Sequence, residues 1–251
     1  MIAANGPPTL KRMNLELGGK TPMIVFDDAD LAATVPLLVA AVTTFAGQFC
    51  MTGSRILVQR GIADELRTRL ARAFESVRVG NGLDPNTDMG PMIDKANVAR
   101  VNGMVEDALA YSKPNVRGGP PTDGALAAGA FYRPTVLEVE DVNTQIVQNE
   151  VFGPVATFEV FETEHHAIAR ANATEMGLAA GVFTNDINIS RRVSREVQAG
   201  TIWTNAWAAI NDCFAEGGYK ASGIGRLRGP LSITEFQEAK TVVHAIPSLP
   251  S

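Results

Sequence analysis

The stretch Gly47-Gln48-Phe49-Cys50-Met51-Thr52-Gly53-Ser54-Arg55 carries one of only two cysteines in the chain. A thiolate attacks carbonyl carbon well, and a nearby carboxylate can activate the water that clears the resulting thioester. A second stretch, Leu15-Glu16-Leu17-Gly18-Gly19-Lys20, offers such a carboxylate in Glu16. The bland alternatives are clear. A free cysteine is usually a small buried hydrophobe, and a glutamate before a Gly-Gly turn is usually solvated. Gly47 and Gly53, which let the backbone come close to a bound group, tilt the reading towards a working thiol.

Segments that alternate between strand and helix must position these residues. Leu10 to Leu17 reads as an edge strand and Met23 to Phe26 as a short buried one. Asp27, Asp28 and Asp30 then supply cap and first-turn acids for a helix from near Leu31, interrupted by Pro36, that leads to Cys50. Ile56 to Gln59 reads as strand. Ile62 to Val77 reads as a helix burying Leu66, Leu70 and Phe74, with Arg67, Arg69 and Arg72 on a solvated face. Asp94 to Ser112 follows as a helix, with Gly/Pro-rich loops at Gly80 to Pro91 and Gly118 to Gly129. Phe131 to Val139 is strand, Thr144 to Gln148 a helical turn, Val155 to Val160 strand and Glu164 to Ala173 helix. Leu178 to Thr184 is strand, Asp186 to Ala199 helix and Thr201 to Trp203 strand. The alternation implies an α/β fold, an open, mostly parallel twisted sheet with flanking helices. Such sheets bind ligands beyond the carboxyl ends of their strands. Asn205 to Arg228 is loop-like. Thr241 to Ile246 is a last β-prone segment suited to another chain's sheet edge.

The 251 residues allow one large domain or two small ones, and 45% hydrophobic content is enough for a core. No apolar run is long enough to span a bilayer, and the N-terminus lacks a secretory pattern. Two cysteines are too few for a disulfide framework, which fits a reducing, cytoplasmic setting. The net charge of −5 is dispersed, without the basic stripe of a nucleic-acid binder. His165, His166 and His244 lack metal-ligand spacing, so no metal is assigned.

Leu15 to Lys20, then Asp27-Asp28-Ala29-Asp30, then Gly47-Gln48-x-Cys50-x-x-x-Ser54-Arg55 resembles the aldehyde dehydrogenase superfamily, in that order. The similarity runs from about Leu15 to Val243 and corresponds to the C-terminal half of a family member. It implies an oxidoreductase that turns a small-molecule aldehyde into a carboxylic acid with NAD or NADP. Cys50 would be the nucleophile and Glu16 the general base, through a thiohemiacetal and a thioester. Glu16 favours hydrolysis over transfer to coenzyme A. Glu150 and Phe152, in Glu150-Val151-Phe152-Gly153-Pro154, are similar to the family's cofactor motif. There the acid holds the nicotinamide ribose, a sound use of a carboxylate facing two hydroxyls. Leu17 and Gly18 join that cofactor-binding set, and Gly18 with Gly19 lets Glu16 swing. Asn205, Trp207, Glu216 and Phe49 fall in the pocket or behind it. Lys20 and Arg55 are read as scaffold.

The resemblance also has gaps. No Gly-x-Gly-x-x-Gly follows a strand, so the cofactor half and its oxyanion asparagine are expected to be missing. The chain then reads as a fragment with little activity alone. Residues 1–20 end the cofactor domain, 21–229 form the catalytic domain, and 230–251 form a tail with an oligomerisation strand. The full-length form would be a homo-oligomer, dimer or tetramer. Glu216 replaces an aromatic near the substrate mouth, which points to a more polar substrate, to a distinct subfamily or to a salt bridge with a neighbouring loop. Leu227 stands where many relatives have glutamate, so a proton relay through that position is not expected here. The alternative reading is a non-catalytic remnant that serves as a folded interaction module.

Overall fold

The computed structural model describes residues 2–245. In chain order the elements begin with α1 (Ile2–Asn5), β1 (Leu15–Glu16), β2 (Pro22–Val25), α2 (Leu31–Thr43), β3 (Arg55–Gln59) and α3 (Ala63–Glu75). Next come α4 (Lys95–Ala108), β4 (Lys113–Val116), β5 (Thr135–Glu138), α5 (Gln145–Gln148), β6 (Val155–Phe161) and α6 (Glu164–Ala171). The last are β7 (Met176–Gly177), β8 (Ala179–Phe183), α7 (Ile187–Glu196), β9 (Thr201–Thr204), β10 (Tyr219–Lys220) and β11 (Gly223–Ile224).

Seven strands form one sheet in the order β4-β5-β6-β3-β2-β8-β9, parallel except for the edge strand β4. The central strands are apolar on both faces, as parallel strands between helix layers must be. Met23, Val25, Ile56 and Val58 pack against α2 and α3. Ile24, Phe26 and Leu57 point the other way, towards α6 and α7. The open α/β sheet expected from the alternation is therefore present.

Several local expectations change. Leu10 to Leu17 yields only the two residues of β1, which pair antiparallel with β11. The chain leaves no neighbour for a longer strand there. β4 falls in a stretch, Lys113 to Val116, to which the sequence assigns no element; an edge position tolerates its proline. α2 runs through Pro36, whose exposed position turns the lost donor towards water. Asp30 alone caps α2, accepting from Ala32 and Ala33. Asp28 instead accepts from the Thr184 hydroxyl and from the N–H groups of Asn185 and Asp186. Arg67 is not simply solvated: it pairs with Asp64 and Glu138 and lies over the Phe158 ring. Residues 241–245 form no strand and expose Val242 and Val243; Ile246 lies outside the described residues.

Candidate active site

The loops singled out in the sequence converge at the amino ends of the parallel strands, not at the carboxyl ends. Glu16 to Lys20 lead into β2, Cys50 into β3, and Glu150 to Phe152 into β6. The general rule for open sheets fails here because the chemistry-bearing residues precede their strands. The connection after β9 joins them by running back. Gly217 packs on Gly200, just before β9, and β10 pairs with β7 at the same end.

Three residues before the thiol the backbone takes an unusual course. Phe45 (φ 53°), Ala46 (φ 53°) and Gly47 (φ 68°) are consecutive left-handed residues. Non-glycine residues pay in strain for that region, and such strain collects where a loop is over-determined by its surroundings. Gly47 has a reason of its own: a Cβ there would collide with the backbone of Gly153 and Pro154. The glycines therefore serve close contact within the protein rather than approach to a bound group. Gly53 likewise sits against Ala41 and Met23.

Gly18 and Gly19 lock the site instead of loosening it. The Gly19 N–H donates to Glu150 Oε1 at 3.1 Å, and a Cβ on Gly18 would strike the Glu150 carboxylate. A Cβ on Gly19 would strike the Cys50 carbonyl oxygen, which is backbone and cannot swing aside. Gly19→Ala is therefore expected to cost about 1–3 kcal/mol, the range for overpacking. It should also change the rate of Cys50 alkylation. A urea midpoint and alkylation rate equal to those of the unaltered chain would show that the contact is not binding.

Leu17 is exposed, and its N–H donates to the Ser222 carbonyl. Phe152 is 42% exposed in a left-handed conformation. Phe49 is half-buried and meets Phe45 and Trp207 edge-on, each at 6.0 Å. The Trp207 indole donates to the Met51 carbonyl at 3.0 Å, so Trp207 ties the cysteine loop to the β9 connection. Asn205 lies elsewhere, at the carboxyl ends of β8 and β9. Its side chain accepts from the Thr184 N–H at 3.0 Å and donates to the Thr184 carbonyl at 2.8 Å. Left-handed itself, it turns the chain into the segment that carries Trp207.

Cys50 is half-buried. Burial pushes its thiol above the ordinary value; its own backbone N–H opposes this, while Glu150, Glu16 and Glu216 raise it further. The sulfur thus feels three carboxylates at once. Glu16 is also raised, first by partial burial and then by Glu216, against the Arg226 charge and a Gly218 N–H bond. Glu216 forms an ion pair with Arg228 at 2.8 Å, the salt bridge weighed in the sequence.

Lys20 is almost wholly buried beside these loops. Burial, helped by the Arg55 charge and opposed by Glu159 and Glu150, lowers its ammonium to about 7. Its folded value lies below the unfolded one, about 10.4. Between the two, the unfolded chain binds the extra proton, so stability rises with pH across that window. The slope reaches at most roughly 1.4 kcal/mol per pH unit. Lys20→Met should flatten it, as read from urea midpoints at about pH 7 and pH 9. An unchanged slope would exclude Lys20 as its source.

Sequence reasoning read Arg55 as scaffold but missed the partner through which it anchors the Cys50 and Glu150 loops. Arg55, fully buried at the start of β3, grips Glu159 of β6 through Nε at 2.8 Å and Nη2 at 2.7 Å. Arg170 of α6 reaches the same carboxylate at 3.0 Å, and the Thr157 hydroxyl bonds it at 2.8 Å. Arg100 of α4 donates to the Val151 carbonyl at 2.7 Å and holds the Glu150 loop from outside. One signal was available: Glu159 is an acid inside the apolar run Val155 to Phe161, which calls for a buried cation.

Residues 1–242 match the model of the Aldehyde dehydrogenase family. The chain is 41% identical over 234 residues to a betaine aldehyde dehydrogenase of Cereibacter sphaeroides, covering 93% of this chain and 48% of that relative. A crystal structure of betaine aldehyde dehydrogenase from Staphylococcus aureus in complex with NAD+ superposes with a TM-score of 0.90 at 39% identity, over 94% of this chain and 47% of that one. A second structure of the S. aureus enzyme with NAD+ matches with a TM-score of 0.92 at 37% identity, over 100% of this chain and 51% of that one. The chain spans about half the length of the curated relatives it matches.

Proposed function

The chain belongs to the aldehyde dehydrogenase family, and on that premise we propose that it carries the acyl-transfer half of an NAD(P)-dependent oxidation of an aldehyde to a carboxylic acid. The convergence of Cys50, Glu16 and Glu150 on one end of the sheet is the observation that carries this reading. Betaine aldehyde, named in the relatives, is a candidate substrate.

The Cys50 thiolate, its proton released to solvent, adds to the aldehyde carbon and gives a tetrahedral thiohemiacetal alkoxide. The Cys50 N–H, on the same residue as the sulfur, is the donor this chain can offer to the developing oxyanion. A nicotinamide dinucleotide, when bound, supplies the acceptor for the hydride. Its ribose end fits Glu150: Oε1 is held by Gly19, so the carboxylate has a fixed place and keeps lone pairs for hydroxyl donors. Loss of hydride leaves a Cys50 thioester. Glu16, its carboxyl raised by partial burial and by Glu216, takes a proton from the water that hydrolyses it. The limits 1–20, 21–229 and 230–251 divide cofactor-side, catalytic and assembly segments. A homo-oligomer of the full-length form and a reducing, cytoplasmic setting suit the exposed Val242 and Val243 and the two free thiols. Among the described residues no helix is long and apolar enough to cross a membrane.

An activated ester tests this on the chain alone, because it enters at the acyl oxidation level and needs no hydride acceptor. p-Nitrophenyl acetate should acetylate Cys50, seen as a mass increment on its peptide, and Cys50→Ala should abolish both adduct and turnover. Acetylation confined to Cys213 would overturn the assignment and favour a non-catalytic module.

A further inference from the structure

The left-handed turn at Phe45, Ala46 and Gly47 opens the cysteine loop. Phe45 and Ala46 carry side chains, so they hold that conformation only because their surroundings impose it. Gln48 and Thr52 do the imposing. The Phe45 carbonyl accepts twice from Gln48, from its backbone N–H at 3.1 Å and from its side-chain Nε2 at 3.1 Å. The other end of the same amide, Oε1, accepts from the Ile93 N–H at 2.9 Å, in the segment just ahead of α4. The Thr52 hydroxyl closes the far side of the turn on the Gly47 carbonyl at 3.1 Å. One side chain, two residues before the thiol, therefore ties the turn to a segment 45 residues further along the chain.

This tie bears on the chemistry. Acyl transfer to Cys50 needs two groups of one residue aimed at one carbonyl, the sulfur at its carbon and the Cys50 N–H at its oxygen. The backbone course from Gly47 to Cys50 sets both. A loop displaced by about 1 Å keeps a reactive sulfur but loses that alignment. Resting on the dehydrogenase reading, we infer that Gln48 is a positioning residue for acylation: by linking the Phe45 carbonyl to the Ile93 N–H it fixes the turn and so aims the Cys50 sulfur and N–H together. Both ends of its amide are occupied by the protein, so it acts through Cys50.

The test uses the full chain carrying Cys213→Ser, so that Cys50 is the sole thiol. Two rates are measured at Cys50 at the same pH, acetylation by p-nitrophenyl acetate and alkylation by iodoacetamide. In acetylation the S–C bond forms, a tetrahedral oxyanion develops, and the C–O bond breaks to release p-nitrophenolate. Alkylation displaces iodide directly and develops no oxyanion. Both reactions use the same thiolate, so their ratio is independent of the thiolate fraction. Gln48→Ala should lower the ratio of acetylation to alkylation on the order of tenfold, part of what one oxyanion donor is worth. Gln48→Glu keeps an acceptor for Ile93 but has no donor for Phe45, so its ratio should fall between. Leu70→Ala, which opens a cavity beneath α3, should lower the urea midpoint and leave the ratio alone. Should Gln48→Ala fail to fold, Gln48→Glu decides: a lowered ratio supports the inference and an unmoved one overturns it. A ratio unmoved by Gln48→Ala, or one that falls equally in Leu70→Ala, overturns the inference and leaves the dehydrogenase reading standing. A parent Cys50 that iodoacetamide alkylates and the ester never acetylates overturns that reading and the inference with it.

Discussion

Glu16→Gln is expected to slow breakdown of the Cys50 acyl group by about a hundredfold or more, the usual worth of a positioned general base. The amide keeps the shape and the Gly218 contact but cannot accept a proton. Acylation and hydrolysis should therefore separate. The ester burst should persist in Glu16→Gln, while its steady state should nearly vanish and acetylated protein accumulate. The sign of the pH dependence follows from the raised carboxyl. Glu16 works only when ionised, so hydrolysis should climb with pH through a value above the ordinary carboxylate range. In Glu16→Gln that limb should be gone. Removing the Glu16 charge also eases ionisation of Cys50, so the burst should be somewhat faster in the variant. A steady state as fast as that of the unaltered chain would remove Glu16 from the chemistry.

The second large effect lies beneath the site. Burial pulls the Glu159 carboxyl up, but the Arg55 charge and bidentate bond, with Arg170 and Thr157, win and hold it below the usual range. Glu159→Ala leaves two guanidiniums without their anion, in a place where Arg55 Nη1 and Arg170 Nε already lack protein partners. Breaking a buried pair from one side costs roughly 3–5 kcal/mol, a large share of a typical stability. Urea denaturation of Glu159→Ala against the parent measures it. Replacing both sides, Arg55→Met with Glu159→Leu, should recover part of the loss, because two matched apolar residues leave fewer orphaned charges. A Glu159→Ala midpoint within experimental scatter of the parent would mean that water reaches the arginines. Since β3 and β6 follow directly from the Cys50 and Glu150 loops, the same variant should also disturb Cys50 alkylation.

How much of this could be read in advance depended on whether a residue's partner was near in sequence. Met23 to Phe26 and Ile56 to Gln59 were legible because strands buried on both faces read as unbroken apolar runs. α3 was legible because Leu66, Leu70 and Phe74 repeat at helical spacing. β4 was hidden by its proline and polar residues, which only an edge partner makes tolerable. The left-handed run from Phe45 was invisible, since two of its three residues lack the glycine or asparagine that signals such a turn. Arg55 was read as scaffold, but its anion lies 104 residues away, and no local pattern reports such a distance. Glu16, Cys50 and Glu150 were singled out through family motifs; hydrophobic periodicity contains nothing that would pick out an acid before β2 or a thiol before β3.

Glu16, Cys50 and Glu150 all precede the strands they lead into, at one rim of the sheet. Turns at the opposite rim, such as Asp141 to Thr144 between β5 and α5, are anchored by short-range bonds of their own and by the Gln148 side chain on the Val142 carbonyl. An engineer who wishes to graft a reporter or a surface-immobilisation handle onto this scaffold has a natural address at that far rim. A lineage acquiring new loops by insertion would find the same latitude there.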